Sequence, residues 1–211
     1  MTRPEYEILA QQRKAAATKP QTHIRIIHES EAQGETAAAY QYFRDHSGRR
    51  DVPGILQCFG SNPALVQQMV DLSGSLLFNE GLLGRQHKEM IATWISRLNA
   101  CPYCLDSHGF FLRVHGGSAH TVERLAEGDL TGARLTRAEE LLLRYVGMVN
   151  DESWRASRED VLALVAAGWT EEQVAEAVHV AAMMGLCNRV VNAFGLPSQN
   201  LMEFAPEAAT E

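Results

Sequence analysis

Residues 89–108 read Glu89-Met-Ile-Ala-Thr-Trp-Ile-Ser-Arg-Leu-Asn-Ala-Cys101-Pro-Tyr-Cys104-Leu-Asp-Ser-His108. In the first part of this stretch Met90, Ile91, Trp94, Ile95 and Leu98 recur at helical spacing. Pro102 then suits the first turn of a second helix, which places Cys101 at its N-cap and Cys104 within that turn. At about 100° per residue, Cys101, Cys104 and His108 fall within about 60° of one another on one helical face. His108 lies one turn beyond Cys104, where side chains touch. Unpaired amides and the helix dipole favour negative charge at this end, so each thiol is expected to ionise more readily than a free cysteine, whose pKa is about 8.5. An imidazole beside a thiol can take its proton and return it to a leaving oxygen. Two thiols three residues apart can close a disulfide, either by exchange or through a sulfenic acid. Cys104, nearer His108, is the expected attacking thiol and Cys101 the resolving one; thiol-exchange sites that use the first cysteine support the reverse order.

Working outward, helical patterns dominate. Residues 1–22 are polar, with Lys14, Lys19 and Pro20, and read as a mobile arm. A short apolar segment, Ile24–Ile27, precedes a helix that stops near His46 at Ser47-Gly48. Asn62-Pro63 reads as an N-cap and first turn, followed by Leu65, Val66, Met69, Val70 and Leu72 on one face. Gly81 and Gly84 break the chain before the helix of Glu89. Thr136 with Glu139, Ser157 with Asp160 and Thr170 with Gln173 have capping-box spacing. Residues 175–191 are apolar on nearly every side, as in a helix central to a core or covered by another subunit. Strand signals are scarce. The pattern predicts an all-α fold of about seven or eight helices, with one domain over residues 23–197 and a tail at 198–211.

Composition narrows the function. The 211 residues carry a formal charge of -7, with 45% hydrophobic and 21% charged residues, the balance of a soluble globular chain. There is no basic stripe for nucleic acid. No apolar run approaches the roughly 18 residues of a membrane span, and the N-terminus lacks the apolar core of a secretion signal. A cytoplasmic protein is expected, in which a Cys-x-x-Cys pair is catalytic or metal-binding rather than part of a disulfide scaffold. Cys58 and Cys187 read as small apolar core residues.

The pattern Glu89-x11-Cys101-x2-Cys104-x3-His108 resembles the AhpD-like alkylhydroperoxidases of the carboxymuconolactone decarboxylase superfamily, in particular their peroxidase-related branch. So do Leu98-Asn99-Ala100, Leu135-Thr136-Arg137, Gly168-Trp169-Thr170-Glu171-Glu172 and the helix end Asn188-Arg189-Val190-Val191-Asn192-Ala193-Phe194-Gly195. The similarity spans roughly Ile24 to Pro197. It implies the AhpD-like helical fold, a redox dithiol of Cys101 and Cys104, and a proton relay of Glu89 and His108. It further implies a hydroperoxide substrate, a dihydrolipoyl-type dithiol or thioredoxin-like electron donor, no metal, haem or flavin cofactor, and a homo-oligomer, trimeric or hexameric. One departure stands out. The AhpD type has a second histidine directly before the second cysteine, where this chain has Tyr103, which will not serve as a base near neutral pH.

Other readings compete. By the helical wheel alone Glu89, with Thr93 and Ser96, lies opposite the apolar face and reads as a solvated glutamate. A zinc site could use the dithiol and His108, with His115 as the nearest further ligand, although His115 before Gly116-Gly117 also suits a helix C-terminus. His179 reads as a core histidine. A carboxymuconolactone-decarboxylase-like enzyme does not need a dithiol, and decarboxylase members of the superfamily usually lack it. A non-enzymatic redox sensor would react once, whereas an enzyme cycles with its reductant.

Overall fold

Capping side chains set the starts of several helices where the spacing places them. Asn62 accepts the Leu65 N–H, Thr136 and Glu139 form a reciprocal capping box, and so do Ser157 and Asp160. The third expected box is present too: the Thr170 N–H donates to Gln173 Oε1 at 2.9 Å and the Gln173 N–H to Thr170 Oγ1 at 3.2 Å. The computed structural model describes residues 21–206, so the expected N-terminal arm lies outside the described residues except for Gln21 and Thr22. Among the described residues all regular structure is helical: α1 (Gly34–Ser47), α2 (Gly54–Cys58), α3 (Pro63–Ser73), α4 (Arg85–Leu98), α5 (Pro102–Val114), α6 (Ala119–Glu127), α7 (Arg137–Glu152), α8 (Arg158–Ala166) and α9 (Glu171–Phe194). Eight of the nine exceed one or two turns, which agrees with the sequence pattern.

The described residues form two compact units. One runs to Phe78 and includes Val190–Pro197; the other comprises Asn79–Arg189 with the segment from Ser198. In the first unit α1 ends at Gly48 in the left-handed region, with its N–H returned to Arg44 O, as the Ser47-Gly48 stop requires. Buried Tyr40 donates its hydroxyl to Ile27 O at 2.6 Å, which ties the Ile24–Ile27 segment to α1.

The second unit is built around α4, which packs against α5, α6 and α7. Met90, Ile91, Trp94 and Ile95 of α4 are buried, as are Phe110, Phe111 and Leu112 of α5 and Leu142, Leu143 and Val146 of α7. At Gly147 a Cβ would meet Trp94 Nε1 and Leu98 Cδ1, both at 3.1 Å, so the absent side chain lets α7 approach α4 closely. Lys88, wholly buried, pairs with Glu176 of α9 at 2.8 Å and donates to Asn79 O at 2.9 Å. Glu176 also accepts the Leu83 N–H at 2.7 Å, and these bonds pin the loop that leads into α4.

The expectation about apolar runs is corrected by α9. This helix contains an 18-residue window with mean hydropathy 1.3, long and apolar enough for a membrane span by length and composition, and just over half of that window is buried inside the fold. Glu176, His179 and Asn188 interrupt the helix without lowering its average much, so a count of unbroken apolar residues misses it.

Candidate functional site

The end of α4 fixes the first cysteine. Ala100 adopts the left-handed region at φ 48°, its N–H donates to Arg97 O at 3.1 Å, and the Cys101 N–H donates to Ser96 O at 2.9 Å. This is a Schellman closure with alanine where glycine is usual. Cys101 is thus the residue that closes α4 and also the N-cap of α5, with Pro102 at the first helical position as expected. Both site thiols are buried, Cys101 at 1% and Cys104 at 3% exposure.

The two thiols are not equivalent, which corrects the expectation that both ionise readily. The Cys104 thiol donates to Cys101 and lowers the Cys101 pKa from its ordinary value. Burial opposes that shift, while the backbone N–H of Cys104, the Asn188 amide and the backbone N–H of Tyr103 add to it. Cys104 is raised well above its ordinary value, first because its proton is held in the bond to Cys101, then by burial and by repulsion from the Cys101 charge. The hydrogen bond between the two thiols is the largest cause of the asymmetry on both sides. The dithiol therefore holds its first negative charge on Cys101. Cys58, which is buried, and half-buried Cys187 are both pushed up to about 12 by burial.

Glu89 is wholly buried, which overturns the solvated reading from the helical wheel. The face of α4 that carries Glu89, Thr93 and Ser96 is packed rather than wet, and all three residues are at 0% exposure. Glu89 Oε2 lies 2.7 Å from His108 Nδ1, while Oε1 accepts Arg85 Nε at 2.7 Å and lies 2.6 Å from Arg85 Nη2. A carboxylate in that position orders the imidazole with its Nδ1–H toward Glu89 and leaves Nε2 to exchange protons. The His108 side chain keeps 11% exposure, so the pair runs from a buried carboxylate to a ring at the edge of solvent. The structure thus brings together Cys101 with Cys104 and Glu89 with His108. The turn of α5 from Cys104 to His108 connects the two pairs.

Asn188 had no chemical role in the sequence beyond its place in the family-like helix end. It is wholly buried, donates to Ser96 Oγ at 3.2 Å and accepts from Asn99 Nδ2 at 3.0 Å. Asn99 also exchanges two hydrogen bonds of 3.0 Å with Asn150 of α7. Since the Asn188 amide lowers the pKa of both site thiols, this network carries dipoles from α9 to the dithiol. The signal of Asn188 in the sequence is a polar amide in a largely apolar helix. Tyr103 is buried, and its carbonyl accepts Ser107 Oγ at 2.9 Å. His115 forms the C-cap of α5. Among the described residues no three His, Cys, Asp or Glu side chains converge so as to hold a metal ion.

Residues 63–144, which contain all four residues Glu89, Cys101, Cys104 and His108, match the model of the carboxymuconolactone decarboxylase family. A protein from Ralstonia eutropha JMP134, described as an alkylhydroperoxidase AhpD core and an uncharacterized peroxidase-related protein, superposes with a TM-score of 0.77 at 22% identity, over 90% of this chain and 100% of that one. The chain has the AhpD-like helical fold. A second structure similar to this AhpD-like chain is an uncharacterized peroxidase-related protein from Silicibacter sp. TM1040, with a TM-score of 0.71 and 23% identity, over 86% of this chain and 94% of that one. A third is the debrominase Bmp8, with a TM-score of 0.66 and 19% identity over 88% and 96% of the two chains. Bmp8 has also been solved as a cysteine-to-alanine variant in complex with 2,3,4-tribromopyrrole. At these identities the likeness is one of fold. No curated protein matches the AhpD-like chain by sequence.

Proposed function

We propose that this protein is a thiol-dependent alkyl hydroperoxide reductase. The observation that carries the reading is the buried Cys101–Cys104 thiol pair at the start of the same helix as a histidine bonded to a buried glutamate. The Cys101 thiolate attacks the terminal oxygen of the hydroperoxide. The O–O bond breaks, the alkoxide takes back from water the proton that Cys101 released on ionising and leaves as the alcohol, and Cys101 becomes a sulfenic acid. His108 Nε2 then takes the Cys104 proton, directly or through one water. The Cys104 sulfur attacks Cys101, the S–O bond breaks, and hydroxide leaves with that proton as water. One hydroperoxide and two thiols thus give one alcohol, one water and one disulfide. This assigns the attack to Cys101, the reverse of the order first expected, because Cys104 holds the shared proton.

The reductant is a dithiol or thioredoxin-like donor, which would attack the disulfide and restore both thiols; no step requires a metal or organic cofactor. A reducing cytoplasmic setting and a trimeric or hexameric assembly belong to the same proposal, the latter supported by Leu186, 44% exposed on the apolar helix α9.

The test is steady-state consumption of an organic hydroperoxide with dithiothreitol as electron source, a brominated pyrrole serving as comparison substrate because Bmp8 shares the fold. The proposal predicts many hydroperoxide molecules reduced per chain. Reduction that stops at one per chain fits the sensor reading, turnover of the bromopyrrole alone fits a dehalogenase, and either outcome contradicts the proposal.

A further inference from the structure

We infer that Arg85 is a positioning residue of this site, which holds Glu89 as a carboxylate and thereby sets the protonation of His108. The inference rests on the proposed role of His108 as the proton carrier. Arg85 sits at the first position of α4, one turn before Glu89, and is only 6% exposed. Its Nε and Nη2 both converge on Glu89 Oε1, at 2.7 and 2.6 Å, leaving Oε2 for His108 Nδ1. The guanidinium also lies 5.8 Å from the centre of the Phe111 ring, whose own centre is 6.3 Å from that of His108. The three charged or polar groups and one aromatic wall form a single packed unit.

The physical argument concerns the count of charges. A wholly buried carboxylate next to an imidazole, with no other cation, would draw a proton either onto itself or onto the ring. In both cases the histidine no longer has a free nitrogen backed by an ionised carboxylate. With Arg85 in place one carboxylate oxygen has a permanent counter-charge 2.6–2.7 Å away, and only the other oxygen is left for the ring. Among the described residues no other Lys or Arg lies within ion-pair distance of Glu89. Lys88, the other cation on this part of α4, is paired with Glu176 of α9 at 2.8 Å. On α5 the other titratable or charged side chains are Tyr103, Cys104, Asp106 and Arg113; Arg113 donates to Pro206 O, and Asp106 accepts the N–H groups of Gln199, Leu201 and Met202 at 2.9–3.1 Å. Cys101, at the N-cap, adds negative charge rather than positive.

Removing the arginine charge should therefore raise the apparent pKa of the coupled Glu89–His108 pair. Activity that needs the proton-free ring is lost as pH falls through that value, so the acid limb of kcat/KM moves to higher pH. Arg85→Met, Arg85→Lys and the double variant Arg85→Met/Glu89→Gln separate the effects. For Arg85→Met the limb, and the His108 titration read from its ring proton in NMR, should rise by about one pH unit or more. Arg85→Lys restores the charge and should lie near the native profile. The double variant removes both charges, should fold if the single variant does not, and should lose the upward shift.

An Arg85→Met protein whose His108 titration and acid limb stay at the native positions, with only thermal stability or KM changed, overturns the inference. So does a double variant that titrates higher still. The NMR titration needs no substrate, so it remains decisive if the native protein turns over no hydroperoxide.

Discussion

Cys101→Ser abolishes hydroperoxide turnover, and no sulfenic acid forms on the remaining Cys104, if the first thiolate of the pair is the attacking group. Cys104→Ser is expected to behave differently. Serine keeps a hydroxyl that can donate to Cys101, so the thiolate persists, hydroperoxide is reduced once, and the sulfenic acid accumulates because no second thiol closes the disulfide. Both variants lose steady-state turnover, by about 10³-fold or more, since each lacks one half of a unit whose members act together. The difference appears in dimedone trapping followed by peptide mass spectrometry, with label on Cys101 in one variant and none in the other. Label on Cys104 of the Cys101→Ser protein would reverse the order of attack. A pH titration of thiolate absorbance makes a linked statement: because Cys101 is lowered, the native dithiol should show its first ionisation at lower pH than a free cysteine.

Glu89→Gln is the second large effect. Glutamine keeps the shape of the side chain but removes the charge that orders and stabilises His108 as it takes a proton, so kcat/KM should fall by about 10²–10⁴-fold. The same change leaves Arg85 with a neutral partner in a site where it is 6% exposed, and breaking a buried pair from one side costs about 3–5 kcal/mol. The two consequences are separable by measuring rate at a temperature where circular dichroism shows the variant folded. A folded Glu89→Gln protein with native kcat/KM would remove Glu89 from the proton path.

The parts of this fold that were legible in the sequence are those fixed by local chemistry. Asn62, Thr136, Ser157 and Thr170 announce their helices because a short polar side chain must reach an amide two or three residues ahead, and each does so. Pro102 placed Cys101 at an N-cap because a residue with a fixed φ and no N–H suits the first helical position. What spacing could not show depends on tertiary packing. The wheel separates apolar from polar faces of α4, but it cannot tell that the polar face of Glu89, Thr93 and Ser96 is buried too. The Glu89–His108 contact joins residues 19 apart in the chain, and Asn188 reaches Ser96 across 92. Charge sharing within the dithiol was equally hidden, since dipole arguments favour both thiols and only the direction of the thiol–thiol hydrogen bond chooses between them. The left-handed Ala100, which turns the chain into the site, has no sequence mark at all, because glycine is the residue that usually signals it.

The central claim is that the Cys101–Cys104 pair reduces a hydroperoxide at the expense of its own two thiols. A single-turnover experiment measures it most directly. Fully reduced protein, freed of reductant, is mixed with excess cumene hydroperoxide, and the alcohol formed is counted against the Cys101–Cys104 disulfide recovered as linked peptides. The account predicts one alcohol and one such disulfide per chain, with Cys58 and Cys187 still reduced. Alcohol without that disulfide, or a disulfide through Cys187, would contradict it.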